Sequence, residues 1–185
     1  MQHDIDFLDD ATRPEPPVLD VTPAQRRPGL HLKMIHDHLR ESVDQLGQMI
    51  DDIAAGQRSA ADVAAEAGGI PALDNYRRFG NLCGQYCLFV NGHHSIEDAH
   101  IFPALGSKSA TMKAISDRLK AEHDVVHGLL VRLVDSLNAL AEAPGADQFD
   151  RVRADFDTLK GILLSHLTYE EAAIGDALGY YEVGV

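Results

Sequence analysis

The sequence between residues 32 and 53 places core-type residues at alternating intervals of four and three. This spacing puts them on one face of an α-helix, and such a face packs against other helices. The stripe consists of Leu32, His36, Leu39, Val43, Leu46, Ile50 and Ile53. Its second position is a histidine instead of an apolar residue. The pattern therefore predicts a helical core that also contains an imidazole.

Similar stripes recur along the rest of the chain, and no segment shows the alternation of apolar and polar residues typical of strands. We expect further helices at residues 72–102, 111–141 and 147–178, with Pro103 ending the first of these. The last two connections are short, which favours antiparallel neighbours. The predicted fold is all-α, an antiparallel up-down-up-down four-helix bundle formed by residues 28–185.

The first 27 residues differ in composition from this predicted bundle. They contain four of the eight prolines and show no apolar period. This composition is typical of a segment that does not form a core of its own. We interpret residues 1–27 as an extended, acidic tail that can pack on the bundle.

Charge and hydropathy limit the partners of the chain. Lys and Arg total 16 against 29 Asp and Glu, a formal charge of −13, which disfavours nucleic acid and anionic membrane surfaces. No apolar run approaches the roughly 18–20 residues that cross a bilayer. Residues 1–10 lack the basic-then-apolar order of a signal peptide. We expect a cytoplasmic protein without a nucleic-acid or membrane partner.

Several histidines and glutamates occupy positions where the stripes call for apolar residues. These are His36, His93, Glu97, His123, His166 and Glu170. Residues four apart share one helix face, so the 93/97 and 166/170 pairs can each hold one ion. Buried carboxylates and imidazoles are costly unless they are hydrogen-bonded, protonated or bound to metal. A divalent cation would satisfy all six residues together.

Four segments, in order along residues 30–178, resemble the hemerythrin-like (HHE cation-binding) family. They read IHDHLR at 35–40, HHSIEDAHIFP at 93–103, EHDVVH at 122–127 and HLTYEE at 166–171. The resemblance implies a four-helix bundle that holds two non-haem Fe ions as a di-iron centre. The implied metal ligands are His36, His93, Glu97, His123, His127, His166 and Glu170.

The residue types leave some choices open within this implied set. His94 is an alternative to His93 or a supporting residue, and Glu171 is an alternative to Glu170. Asp98 and Asp124, next to implied ligands, are candidates for hydrogen bonds to them. Imidazole and carboxylate suit Fe, and they also permit Zn or Mn.

The implied centre predicts a function based on a small ligand. Two six-coordinate irons, held by these ligands and the bridging oxygen of the family, keep one position open for O₂, NO or peroxide. The simplest role is an O₂ carrier or sensor. The same ligands would also serve a di-iron redox enzyme acting on peroxide or another small oxidant. An iron-binding or storage-related role is the third alternative, so whether the protein is an enzyme stays open.

Overall fold

A computed structural model describes residue 5 and residues 7–54, 86–143 and 145–184. Within these ranges every regular element is helical, as the apolar periodicity predicts. The helices are α1 (Arg27–Ala54), α2 (described from residue 86 to Gly106), α3 (Ala110–Glu142) and α4 (Ala146–Tyr180). The predicted start of α2 at residue 72 and the connection before it lie outside the described residues. No helix in the described ranges is long and apolar enough to cross a membrane.

The predicted end of α2 at residue 102 is wrong, because the helix continues through Pro103 to Gly106. It does so after a wide π-helical turn, Glu97–Ile101, in which the Phe102 N–H donates to the Glu97 carbonyl. Pro103 then falls in the first turn of the α-helical segment that follows. An N–H is not required at that position, so the proline is accommodated.

Helices α3 and α4 pack against each other in opposite directions. In the middle part of α3, His123 lies beside His166, and further along the helix Arg132 pairs with Asp155. Residue numbers therefore rise along α3 as they fall along α4. The side-chain oxygen of Ser109 accepts a hydrogen bond from the Met112 N–H at 3.1 Å, which explains why α3 begins there.

Helices α1 and α4 also run antiparallel and approach closely at one end. Gly29 lies against Gly175, and Asp44 pairs with Lys160 at 2.7 Å. A Cβ atom on Gly29 would lie 2.4 Å from the Gly175 carbonyl oxygen. Only glycine fits at position 29 with this backbone separation.

The buried apolar residues form two clusters. The larger cluster takes its side chains from α1 beginning with Leu39, α2 up to and including Val90, α3 beginning with Val125 and α4 up to and including Leu167. The smaller cluster contains Leu32, Ile101, Phe102, Leu105, Met112, Ile115, Leu119, Ala173, Ile174, Ala177 and Leu178. Between them lies a polar layer, defined as His36, His93, His94, Glu97, His123, His166 and Glu170. The core of the described helices is thus apolar on both sides of a layer of potential ligands.

The N-terminal segment, described at residue 5 and residues 7–26, lies along the helices. It contains a short 3₁₀ helix, Asp10–Thr12. Ile5 and Leu8 pack against the larger apolar cluster, and Leu19 packs against the smaller one. The segment predicted as a tail is therefore in contact with both halves of the core.

Candidate metal centre

Each of the four helices contributes at least one side chain to the polar layer. His36 comes from α1 and His123 from α3, while α2 and α4 each contribute more than one residue. The α2 pair (His93 and Glu97) and the α4 pair (His166 and Glu170) are four residues apart, so each pair shares one helix face. All of these side chains are at most 8 % exposed. The layer is therefore shielded from bulk water.

The potential ligand atoms fall into two groups, within each of which they lie no more than 4.8 Å apart. The first group consists of His36, His93, Glu97 and Glu170. The second group consists of His94, His123 and His166. The first takes residues from α1, α2 and α4, and the second from α2, α3 and α4. Two such groups allow two neighbouring cation positions.

The imidazole spacings suit shared cations. In the first group the Nε2 atoms of His36 and His93 are 3.0 Å apart. In the second group the Nε2 atoms of His123 and His166 are 3.2 Å apart. Two ligand atoms that each lie about 2.1 Å from one ion are separated by roughly 3.0–3.4 Å. The measured distances match this separation.

Two carboxylates connect the two groups. Glu97 places one oxygen 3.3 Å from His93 Nε2 and the other 3.7 Å from His123 Nε2. Glu170 Oε2 lies 3.4 Å from the Nε2 atoms of both His36 and His166. All four oxygens of these carboxylates are buried without a hydrogen-bond partner. Unpartnered buried oxygens are rare, and cations held by the two groups would satisfy them. The residues therefore fit metal ions.

Three imidazoles of the layer donate a hydrogen bond from Nδ1, the ring nitrogen that faces away from the layer, to a carboxylate. The Nδ1 atoms of His36, His123 and His166 lie 3.0 Å from Glu171, Asp98 and Glu122, respectively. Because a carboxylate only accepts, Nδ1 carries the hydrogen and the Nε2 atom of a neutral ring presents its lone pair to the interior. Carboxylate partners of this kind orient metal-binding imidazoles.

We call Glu171, Asp98 and Glu122 the outer ring of the site. The sequence predicted only part of it. Asp98 makes the expected hydrogen bond, whereas Asp124 is exposed. Glu171, weighed as a ligand, instead holds His36 from the outside. Glu122 was missed, because its position beside His123 in the chain gives no sign that it faces His166 on another helix.

Burial controls the protonation of the layer. It lowers the pKa of His93 to about 4, and burial with the neighbouring imidazoles holds the pKa of His94 well below its usual range. Burial and the nearby Glu170 carboxylate raise the pKa of Glu97 to about 11. Metal ligands must be deprotonated, so neutral imidazoles are ready for a cation, whereas the Glu97 proton must leave.

His166 and Glu170 on α4 have pKa shifts opposite in sign to those of His93 and Glu97 on α2. Burial alone would lower the pKa of His166, but the Glu122 and Glu170 carboxylates outweigh it and raise this pKa to about 9. Burial alone would raise the pKa of Glu170, but the facing His166 holds it at about 2. In the metal-free chain these shifts favour a protonated His166 facing an ionised Glu170, with Nε2 and Oε2 3.4 Å apart.

His94 and His127 differ from the expected ligand pattern. His94 joins the second group in addition to His93, and its ring stacks on His123 at a centroid distance of 3.8 Å. Neither ring nitrogen of His94 has a hydrogen-bond partner. Consecutive helix residues are about 100° apart around the helix axis. His93 and His94 can therefore lie on either side of the face that α2 turns to the core, and both can reach the polar layer.

His127 is the expected ligand that belongs to neither group. Its ring centroid is 5.3 Å from that of His94, and its Nε2 atom is buried without a partner. It therefore borders the second group without completing it.

Comparison with known proteins agrees with this geometry. The family model of the hemerythrin HHE cation binding domain matches residues 27–178, which span all four helices and every residue of the polar layer. No curated protein and no solved structure matched the chain. The chain belongs to the hemerythrin HHE cation-binding domain family.

Proposed function

We propose that this chain is a non-haem di-iron protein that binds O₂ or a related small ligand, as a carrier or sensor. The observation that carries the proposal is the pair of buried ligand groups joined by the unpartnered carboxylates of Glu97 and Glu170. One tetrahedral zinc ion uses four ligands, fewer than this layer offers. The proposed ligands are His36, His93, Glu97, His123, His127, His166 and Glu170, with His94 added to the second group.

Each part of the layer has a defined task in this proposal. The imidazole Nε2 atoms and the Glu97 and Glu170 carboxylates would hold the two ions. Two bound irons would supply reversible binding of O₂ or NO, or electron transfer to peroxide. The apolar clusters on either side exclude bulk water, which limits loss of iron and uncontrolled oxidation.

The order of the two apolar clusters supports an up-down-up-down bundle. Along α1 the smaller cluster precedes the polar layer, and along α2 it follows the layer. It precedes the layer again along α3 and follows it along α4. We infer that successive helices alternate in direction, as short connections predict.

The proposed partners are small molecules, namely O₂, NO or peroxide. A net charge of −13 argues against nucleic acid as a partner. A cytoplasmic location remains a prediction of the sequence.

Metal analysis combined with absorption spectroscopy tests the proposal. After iron-replete expression we expect about two iron ions per chain, and an absorption band that appears with oxygen and disappears reversibly when oxygen is removed. His123→Ala should abolish the band, whereas His100→Ala, which changes an exposed histidine of α2, should leave it intact. One zinc per chain with negligible iron would contradict the proposal.

The same samples distinguish the alternatives. Rapid, repeated consumption of added peroxide would favour a di-iron redox enzyme. Bound iron with neither a reversible band nor peroxide turnover would favour an iron-binding or storage-related protein.

A further inference from the structure

The N-terminal segment makes a dense set of contacts next to His166. Arg13 donates from Nε and Nη2 to the two oxygens of Glu122, at 2.8 and 3.1 Å. Its Nη1 atom donates to Ser165 Oγ at 2.9 Å, and its guanidinium lies 4.8 Å from the centre of the Tyr169 ring. Both Arg13 and Glu122 are largely buried, with side chains 14 % and 5 % exposed. Arg13 is thus bound in place on the surface of α3 and α4.

Further hydrogen bonds hold the backbone of the segment. The Tyr169 hydroxyl donates to the Pro14 carbonyl at 2.9 Å. Arg118 of α3 donates to Thr12 Oγ1 at 2.7 Å and to the Asp9 carbonyl at 2.9 Å. Arg13 is therefore presented by a docked stretch of chain, residues 9–14.

The two oxygens of Glu122 have different neighbours. Oε1 accepts from the Nε atoms of both Arg13 and Arg118, at 2.8 and 2.7 Å. Oε2 accepts from Arg13 Nη2 at 3.1 Å and faces His166 Nδ1 at 3.0 Å. Of these two arginines, only Arg13 grips both oxygens and so fixes the plane of the carboxylate. The carboxylate torsion of a glutamate is otherwise broad, so Arg118 alone would allow Oε2 to swing away from His166.

The other two carboxylate-held imidazoles are supported from within the helices. Arg40 of α1 pairs with Glu171 behind His36, and Lys120 of α3 pairs with Asp98 behind His123. Behind His166, Glu122 pairs with two arginines, Arg118 and Arg13. Of these, Arg13 lies outside the range 27–178 that matches the family. A cavity of about 20 Å³ beside His166 and Glu122 is also walled by Leu8, Asp10 and Arg13 of the segment. The segment therefore covers this side of the centre.

We propose that Arg13 is a positioning residue of the metal centre, and that docking of residues 9–14 and metal binding at His166 stabilise each other. The proposal rests on the proposed function, because it requires the layer to bind metal. If docking strengthens metal binding by some factor, metal binding strengthens docking by the same factor. Loss of an outer partner of a metal-binding imidazole costs about 10–100-fold in metal affinity. Because Arg118 remains on Glu122, we expect an effect near the lower end, about tenfold.

Cobalt titration of the metal-free full chain tests the first half of this coupling, with Co²⁺ as the probe. Arg13→Ala should weaken Co²⁺ binding about tenfold. Arg13→Lys should recover part of the loss, since lysine restores the charge without the two-point grip. The control Arg26→Ala removes an exposed arginine just before α1 and should bind Co²⁺ like the wild type.

Hydrogen exchange tests the second half of the coupling, first on the wild-type chain and then on Arg13→Ala. The N–H groups of Ala11, Thr12 and Arg13 bond within the 3₁₀ turn. Their exchange should slow when Co²⁺ binds, and this slowing should shrink in Arg13→Ala. Normal Co²⁺ binding by Arg13→Ala, or equal exchange with and without Co²⁺, would overturn the coupling and leave the proposed function intact. A wild-type chain that binds no Co²⁺ would overturn both.

Discussion

Replacing Glu97 with glutamine should remove a metal ligand while leaving the metal-free fold nearly unchanged. Burial and the adjacent Glu170 raise the pKa of Glu97 to about 11, so its side chain is protonated at neutral pH in the metal-free protein. Glutamine has the size and shape of the protonated acid. We expect metal content to fall below two ions per chain. The free energy of unfolding of the metal-free variant should match that of the wild type near pH 4.5 and exceed it by up to about 3 kcal/mol at pH 7, because glutamine folds without taking up a proton.

The same substitution should change how stability depends on pH. The folded-state pKa of Glu97 is raised above its ordinary 4.5, so between pH 4.5 and about 11 the folded chain holds a proton that the unfolded chain has lost. The stability from this group is complete below pH 4.5 and is lost as pH rises. The loss is at most about 1.4 kcal/mol per pH unit, or roughly 4 °C in melting temperature for a domain of this size. Glu97→Gln removes this dependence.

Glu170→Gln is the matched comparison, because it makes the same chemical change in the other carboxylate of the layer, on α4. The facing His166 holds the pKa of Glu170 at about 2, so this carboxylate is ionised and pairs with a protonated imidazole. Removing one partner of a buried ion pair costs about 3 kcal/mol. Urea unfolding of the metal-free proteins at pH 6, 7 and 8 measures both variants against the wild type. If both variants lost the same free energy of unfolding and kept the pH dependence of the wild type, the assigned protonation states would be refuted.

Three other predictions follow from the same structure. His36→Ala should lower metal content, because His36 is buried between His93 and Glu170, while His38→Ala on the exposed side of α1 should not; equal metal content in elemental analysis would argue against the assigned ligand. Gly29→Ala should destabilise the protein by about 1–3 kcal/mol through its clash with the Gly175 backbone. By contrast, Gly161→Ala, whose Cβ meets nothing within 4 Å, should stabilise α4 by up to about 1 kcal/mol, and denaturant melts that show the same sign for both would contradict the packing argument. Metal loading should raise the melting temperature by about 10 °C at a thousand-fold excess over Kd, and matched melts that coincide despite bound metal would show that these residues do not form one buried site.

Helical periodicity was sufficient to predict most of the core. The α1 stripe from Leu32 to Ile50 is buried throughout, including His36. A similarly spaced set on α4 is also buried, namely Phe156, Leu159, Leu163, His166, Glu170 and Ile174. Each of these positions follows from the side that a regular helix turns toward its neighbours. Every regular element in the described ranges is helical, which agrees with the all-α class, and the resemblance to the hemerythrin-like family is confirmed by the family match.

The π-helical turn in α2 could not be predicted in the same way. Periodicity assumes 3.6 residues per turn, and Glu97–Ile101 departs from that geometry immediately before Pro103. A proline lacks the N–H that a regular helix would use and crowds the carbonyl four residues earlier. The sequence signal was Pro103 itself, which predicted a stop instead of a widened turn. The consequence for the site is local, since Glu97 is the first residue of this turn and is one of the two carboxylates that lie between the two ligand groups.

The outer ring of the site depends on contacts that a periodic pattern does not encode. Glu122 is 44 residues from His166, and Arg13 is 109 residues from Glu122. Acidic residues are abundant in this chain, with 29 Asp and Glu, so an acidic residue near a histidine in sequence carries little information by itself. What distinguishes Glu122 is that three cationic or imidazole donors converge on it from α3, α4 and the N-terminal segment. These donors hold its pKa at about 2 against the opposing effect of burial, so it stays ionised as the acceptor for His166. The inward-facing candidate ligands are therefore predictable from helix geometry, whereas the contacts of Glu122 with Arg13 and His166 become visible only once the N-terminal segment is in place on the helices.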